Sequence, residues 1–172
     1  MTETLSPFSK IFLSLMERIE ATVPEIKHID QDLGQIEGAS SRPSVAFPCV
    51  LVDFENWVFE NHTDNCQKGE GDVIITLAFA QYVPSSESAG PEYRAEALKY
   101  YEHEQKIHMS LQGWSPNDES GYLTRTGIAT LNKLVGIRVR KLRYRLEFED
   151  NSTKPVIKKV TRPPLKVTGE TE

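Results

Sequence analysis

Several short stretches carry residue types that could do chemistry. His62, Asp64 and Cys66, in the run HTDNC, alternate and would share one side of an extended segment. Imidazole, carboxylate and thiolate can all hold a transition metal. This spacing matches no standard metal site, however, and the surrounding residues read as a flexible loop. Glu104 and His108 are one helical turn apart, which permits ligation from one helix face, but ordinary surface pairs share that spacing. Asp53 and Glu55 could form a carboxylate pair. They close a strand just ahead of Trp57, where solvated acids are the plainer reading. The run GEG at 69–71 is too short to cradle phosphate and carries an acid, so it reads as a turn. The chain has no G-x-S-x-G, P-loop, G-x-G-x-x-G or H-E-x-x-H motif. The expectation is a protein without catalysis, cofactor or metal.

The densest functional signal is basic. In GIRVRKLRYRLEFED, Ile137 and Val139 alternate with Arg138 and Arg140, and then the phase slips, with Leu142, Tyr144, Leu146 and Phe148 on even numbers. A one-residue slip turns every later side chain over unless the strand bulges. A β-bulge at Arg140-Lys141 is therefore predicted, gathering Arg138, Arg140, Arg143 and Arg145 on one face with Lys141 beside them. Such a face has three readings. It can stand in water or pair with acids on a neighbouring strand. It can meet the acidic body of a second copy. It can bind phosphates, a reading weakened by the lack of interleaved aromatics and by the overall acidity. Charge is unevenly spread: residues 1–137 hold 10 Lys+Arg against 20 Asp+Glu, and residues 138–172 hold 10 against 5. An acidic body with a basic end suits self-association or a charged partner.

The elements that must position these residues follow from pattern. Ser6 caps a helix that Pro7 opens and Pro24 stops, with Phe8, Ile11, Phe12, Leu15 and Ile19 on one face. A short strand and turn lie in IKHIDQDLGQIE, and 37–43 is a connector of small residues. Val45 to Phe54 is a strand, apolar on both faces, with Pro48 in its middle. Pro48 is confined to an edge, a bulge or a strand end, and the expected kink would present Asp53, Glu55 and Trp57 at a contact surface. A loop then leads to a turn at Gly69 and Gly71 and to an antiparallel strand, DVIITLAFAQYV. Gly90-Pro91 starts a second helix with Tyr93, Ala97, Tyr100, Ile107 and Leu111 on one face, widened by Leu98 and Tyr101, and Gly113 ends it. YLTRTGIATLNKLV reads as a weak strand before the basic one. The class is α+β, two helices packed on a mainly antiparallel sheet, with residues 1–150 as one domain. Residues 151–172, with Pro155, Pro163, Pro164, Lys158 and Lys159, read as an extended basic C-terminal arm.

At 172 residues the chain can bury a core of its own. Its start lacks the features of a signal peptide, and no stretch approaches a membrane span, so a cytoplasmic protein without membrane contact is expected. Cys49 and Cys66 read as free thiols, Cys49 in the core.

Taken together, SPFSKIFLSLMERI, IKHID with DLGQIE, RPSVAFPCVLVDF, GDVIITLAFAQY, EYRAEALKYYEHEQKIHMSLQGW and GIRVRKLRYRLEFED resemble the tail terminator (tail-completion) proteins of tailed bacteriophages and related prophage elements. The resemblance covers most of residues 5–150 and rests on element order and texture. It implies a subunit of a homohexameric ring that sits on the tail tube, ends its polymerisation and presents a surface to the head connector. The implied partners are further copies of the chain, the tail tube protein and head–tail connector proteins, with DNA only passing through the lumen. The implied location is the virion neck, with assembly in the host cytoplasm. No catalytic residues come with it. Candidate contact residues are Asp53, Glu55, Trp57, Arg138, Arg140, Lys141, Arg143, Arg145, Lys158 and Lys159. The alternatives are another neck component such as an adaptor or stopper, a nucleic-acid-binding module on the arginine face, or a small enzyme using the loop around His62 and Cys66.

Overall fold

The structure, a computed structural model, describes residues 5–36, 45–63, 65–80, 86–131 and 136–154. The small-residue connector, Asp64 and most of the C-terminal arm, with Lys158 and Lys159, lie outside the described residues. In order, the elements are α1 (Pro7–Thr22), β1 (His28–Gln31), β2 (Cys49–Thr63), β3 (Cys66–Phe79), α2 (Pro91–Leu111), β4 (Thr124–Leu131) and β5 (Arg138–Asp150). The strands form one sheet in the order β1-β2-β3-β5-β4, with β1 parallel to β2 and every other pair antiparallel. The expected α+β class is what the chain adopts.

Helix α1 forms for the reasons its sequence gives. The Ser6 hydroxyl accepts the Ser9 N–H (3.1 Å), Pro7 stands where its missing donor costs nothing, and the helix ends before Pro24. Ile11, Leu15 and Ile19 are fully buried against the sheet, each burial stabilising by about 1.5–3 kcal/mol. They meet Val50, Val52, Val73, Ile75, Leu77, Leu142, Tyr144, Leu146 and Phe148, and the C-terminal turns of α2 add Ile107 and Leu111. Both helices therefore cover one face. The opposite face has a smaller cluster of its own: Ile36, Cys49, Leu51, Ala78 and Val139. Cys49 to Val52 is buried on both faces, as its sequence suggested.

Three local expectations are corrected. The strand starts at Cys49 rather than Val45, so Pro48 precedes it and leaves the ladder intact. The stretch read as a loop and a turn is instead a long hairpin, and Gly69 and Gly71 lie inside β3. They are glycines because aromatic rings lie on them: a Cβ at Gly71 would fall 2.4 Å from the Trp57 ring, and one at Gly69 2.8 Å from Phe59. Finally, β5 has no bulge. It pairs with β3 without interruption from Arg138↔Phe79 to Asp150↔Gln67. Val139 accounts for the apparent slip, because it belongs to the cluster on the face away from the helices. A register shift does occur in β2, between Glu55 and Val58, where Asn56 has a φ of 56°.

Candidate assembly surface

With β5 regular, its basic residues divide between the two faces. Arg138 and Arg140 share the helix-covered face with Leu142 and Tyr144, whereas Lys141, Arg143 and Arg145 share the open face with Val139. The single arginine face expected from sequence does not exist.

On the covered face, Arg140 clamps helix α2 to the sheet. Its Nε donates to Glu104 Oε2 (2.6 Å), its second terminal nitrogen to Glu104 Oε1 (3.2 Å) and its first to Thr130 Oγ1 (2.6 Å). Both charged side chains are nearly buried, 15% and 10% exposed. The Arg138 guanidinium lies 4.0 Å from the Tyr100 ring centre and 5.6 Å from that of Tyr101, a cation–π arrangement. These two arginines are committed inside the subunit.

On the open face the charges form a cross-strand ladder. Asp72 is its centre and is nearly buried. It accepts from Arg143 (2.9 Å), Arg145 (3.4 Å) and Asn56 (3.2 Å). Arg143 also reaches Glu55 (3.4 Å), and Arg145 donates to Glu70 (2.8 Å). Beyond them, Lys68 pairs with Glu147 (2.6 Å). Lys141 lies opposite Thr76 and Ala129 on this face. The Arg143 and Arg145 side chains stay 45% and 42% exposed, so the ladder is paired yet presented to solvent.

The DFENW stretch divides likewise. Asp53 is exposed, and Glu55 is half-buried in the ladder. Trp57 faces inward, edge-on to Phe8 (5.0 Å) and Phe54 (6.3 Å) and tilted against Phe148 (5.0 Å). The β2 bulge puts it there: without the extra residue Trp57 would stand on the open face. Trp57 is thus a packing residue and not a displayed contact, contrary to expectation. Exposed apolar side chains occur elsewhere, at Val58 and Phe59 on the hairpin and at Tyr93, Leu98 and Tyr101 on the first turns of α2. Those α2 residues were expected to face the core. The buried positions of α2 are Glu104, Ile107, Ser110 and Leu111, all in its second half.

The candidate chemical pairs separate. Glu104 turns to Arg140, while His108 Nδ1 lies 3.4 Å from the Tyr144 hydroxyl. Burial pushes the Tyr144 phenol up to about 12 and the His108 imidazole below its ordinary range. Cys66 is buried at the base of the hairpin turn, paired in register with Thr63, and His62 lies on exposed β2. Cys49 is a free thiol, pushed up to about 11 by burial.

Sequence reasoning missed Asp72 as the centre of the ladder, and it read Glu104 only beside His108, not as the partner of Arg140. For Asp72 a signal existed: Glu70 and Asp72 alternate like strand residues, but the flanking glycines read as a turn. For Glu104 there was none, because a long-range pair leaves no local pattern.

No protein-family model and no curated protein matches the chain. Among solved structures, a chain described as "Virion of native gene transfer agent (GTA) particle" is similar at 10% identity and a TM-score of 0.42. That likeness covers 84% of this chain and 96% of the other. At this score it is a broad likeness only.

Proposed function

We propose that the chain is a structural component of a phage-like virion, acting as a tail-terminator-like subunit. In this reading copies form a ring on the end of the tail tube, stop its polymerisation and offer a surface to the head–tail connector. The role is structural, without catalysis or cofactor. The observation that supports it is the α+β fold itself, whose helices and strands follow in the order on which the sequence resemblance rests. Consistent with it, the exposed features among the described residues are a charged ladder, an open strand edge and an aromatic helix half. The groups that could do chemistry lie apart or are tied to structural partners. Around a head-to-tail ring, an acidic and a basic surface can complement each other at every contact. On this basis the contact residues are Lys141, Arg143, Arg145, Asp53 and Glu55.

Light scattering and negative-stain imaging of the purified protein test self-assembly, with rings expected. Co-expression with the tail tube protein tests the role: tubes of bounded length with this chain, and overlong tubes without it. Tubes of unchanged length, with no binding to their ends, would overturn the proposal. Binding to the connector but not to tube ends would favour the adaptor or stopper alternative.

A further inference from the structure

Strand β1 pairs with β2 only from Cys49 to Val52. Beyond Val52, and among the described residues, β2 has a ladder partner on its β3 side alone, so its edge runs open from Asp53 to Thr63. Open edges of this length are templates for another strand. Where β1 leaves off, the edge floors a groove of about 220 Å³ lined by Phe8, Phe12, Leu33 and Phe54 with Asp32 and Asp53. Its lining has two acids and no base, and Leu33 is 76% exposed. A backbone edge beside an apolar recess with acidic flanks suits an extended peptide with apolar and basic residues in alternation or in pairs.

The chain itself supplies such a peptide. Residues 156–162, VIKKVTR, form a run without proline between Pro155 and Pro163, apolar at Val156, Ile157 and Val160 and basic at Lys158, Lys159 and Arg162. Proline cannot donate to a ladder, so this is the part of the arm suited to strand addition. We propose that Val156–Val160 of a second copy adds as a strand to the β2 edge, its alternation seating Ile157 in the groove beside Phe54 and setting Lys158, on the opposite face, against Asp53 and Asp32.

Reach favours a second copy over the chain's own arm. Thr153 donates to the Asn65 carbonyl (3.2 Å), which places the start of the arm at the hairpin tip. Through the register Asp150↔Gln67↔Asn61, the groove at Phe54 lies seven residues back along β2. That is about 23 Å along the strand, and two strand spacings of about 4.8 Å lie across it. Fully extended, Ile157 extends at most about 11 Å beyond Lys154. Ile157 therefore fills the groove of another subunit, not its own. In the free edge the Asp53 carboxylate accepts the Phe54 N–H (2.8 Å), and an arriving lysine would draw that carboxylate away and release the donor. The inference goes beyond the terminator role, since it needs only that copies meet.

Cross-linking between two differently tagged chains tests it in purified protein. One chain carries Asp53→Cys; the other carries Lys158→Cys or, separately, Lys159→Cys, which would point to opposite faces of an added strand. Oxidation should give a mixed-tag disulfide several-fold stronger with Lys158→Cys than with Lys159→Cys, and self-association of the unsubstituted chain should weaken at high salt, where the lysine–carboxylate attraction is screened. Each single variant oxidised alone controls for Cys49 and Cys66, which are buried. A chain cut after Lys154, checked by circular dichroism for an intact fold, should lose the larger species seen in light scattering. A disulfide within one doubly substituted chain would overturn the proposal in favour of the chain's own arm. No mixed disulfide, with cut and full-length chains equal in mass per particle, would overturn it outright.

Discussion

Strand β5 sets up a natural comparison, because the same side chain does different work on its two faces. Arg140, on the covered face, meets one carboxylate in a nearly dry site and fixes a helix to the sheet. Arg143, on the open face, meets two carboxylates, Glu55 and Asp72, shares the second with Arg145, and remains about half in water. Coulomb attraction is far stronger where water is excluded, but so is the cost of leaving a charge without its partner. The pair under α2 is therefore an internal joint. The ladder on the open face costs little to rearrange, which is what a surface needs if it is to exchange partners within an assembly.

The largest expected effect breaks the covered pair. Glu104→Ala leaves Arg140 with Thr130 alone in a site that excludes water, and should cost about 3 kcal/mol in urea unfolding followed by circular dichroism. The double replacement Glu104→Leu with Arg140→Met should recover most of that loss, because it removes both charges together. If the single variant lost less than about 1 kcal/mol, Arg140 would be solvated and the contrast between the faces would fail.

A second contrast uses glycines. Gly71 on the covered face lies under Trp57, and a Cβ there would enter the indole ring; nothing lies within 4 Å of a Cβ at Gly127 in β4. Gly71→Ala should destabilise by about 2 kcal/mol and shift the Trp57 fluorescence. Gly127→Ala should change stability by no more than about 0.5 kcal/mol. Equal effects at the two sites would show that Trp57 moves aside freely.

These examples also show what was legible in the sequence. The α+β class, the α1 cap and apolar face, the β2–β3 pairing and the basic strand follow from local periodicity, and local periodicity is written in the chain. The phase slip in β5 was misread because alternation reports a change of face without saying whether the far face has a core of its own. Here Ile36, Cys49, Leu51 and Ala78 supply one for Val139. The β2 bulge between Glu55 and Val58 had the same kind of signal, since Phe54 is followed by Trp57 and Phe59. Its resolution depended on Gly69 and Gly71, which lie on another strand and leave room for the rings. Whether α2 is covered along its length depends on how far the sheet extends beneath it. That is why Tyr93, Leu98 and Tyr101 are exposed despite helical spacing. The candidate contact residues were found as a charged strand, but not their division between faces.

A smaller effect comes from pH. His103 and His108 are both held below the ordinary imidazole value of 6.5, chiefly by burial. Around His103, Lys106 and Lys99 push further down while Glu25 and Glu102 pull up; around His108, Arg125 pushes down and Glu104 pulls up. A depressed imidazole means that the unfolded chain takes up protons before the folded one does. The stabilisation is thus present above 6.5 and is lost as pH falls toward the folded values. The urea midpoint should drop between pH 7.5 and pH 5.5, and His108→Gln should flatten the slope. A midpoint that rose on acidification would mean that these rings gain charge on folding, and that the covered face is wetter than its packing implies.

The smallest effect is expected on the open face, and it is the most informative about function. Arg143→Ala removes one of two guanidinium partners of Asp72, but Arg145 and Asn56 still reach that carboxylate. The cost to the isolated subunit should be about 0.5 kcal/mol and should shrink further in high salt. If the variant nonetheless reduced self-assembly severalfold, measured by light scattering at low salt, the stability and assembly roles of the arginines would separate by face. Arg140 would hold the subunit together, and Arg143 would hold subunits to one another. A loss of folding stability above about 2 kcal/mol would instead make the ladder a second internal joint. Assembly would then have to be carried by the open β2 edge and the exposed half of α2.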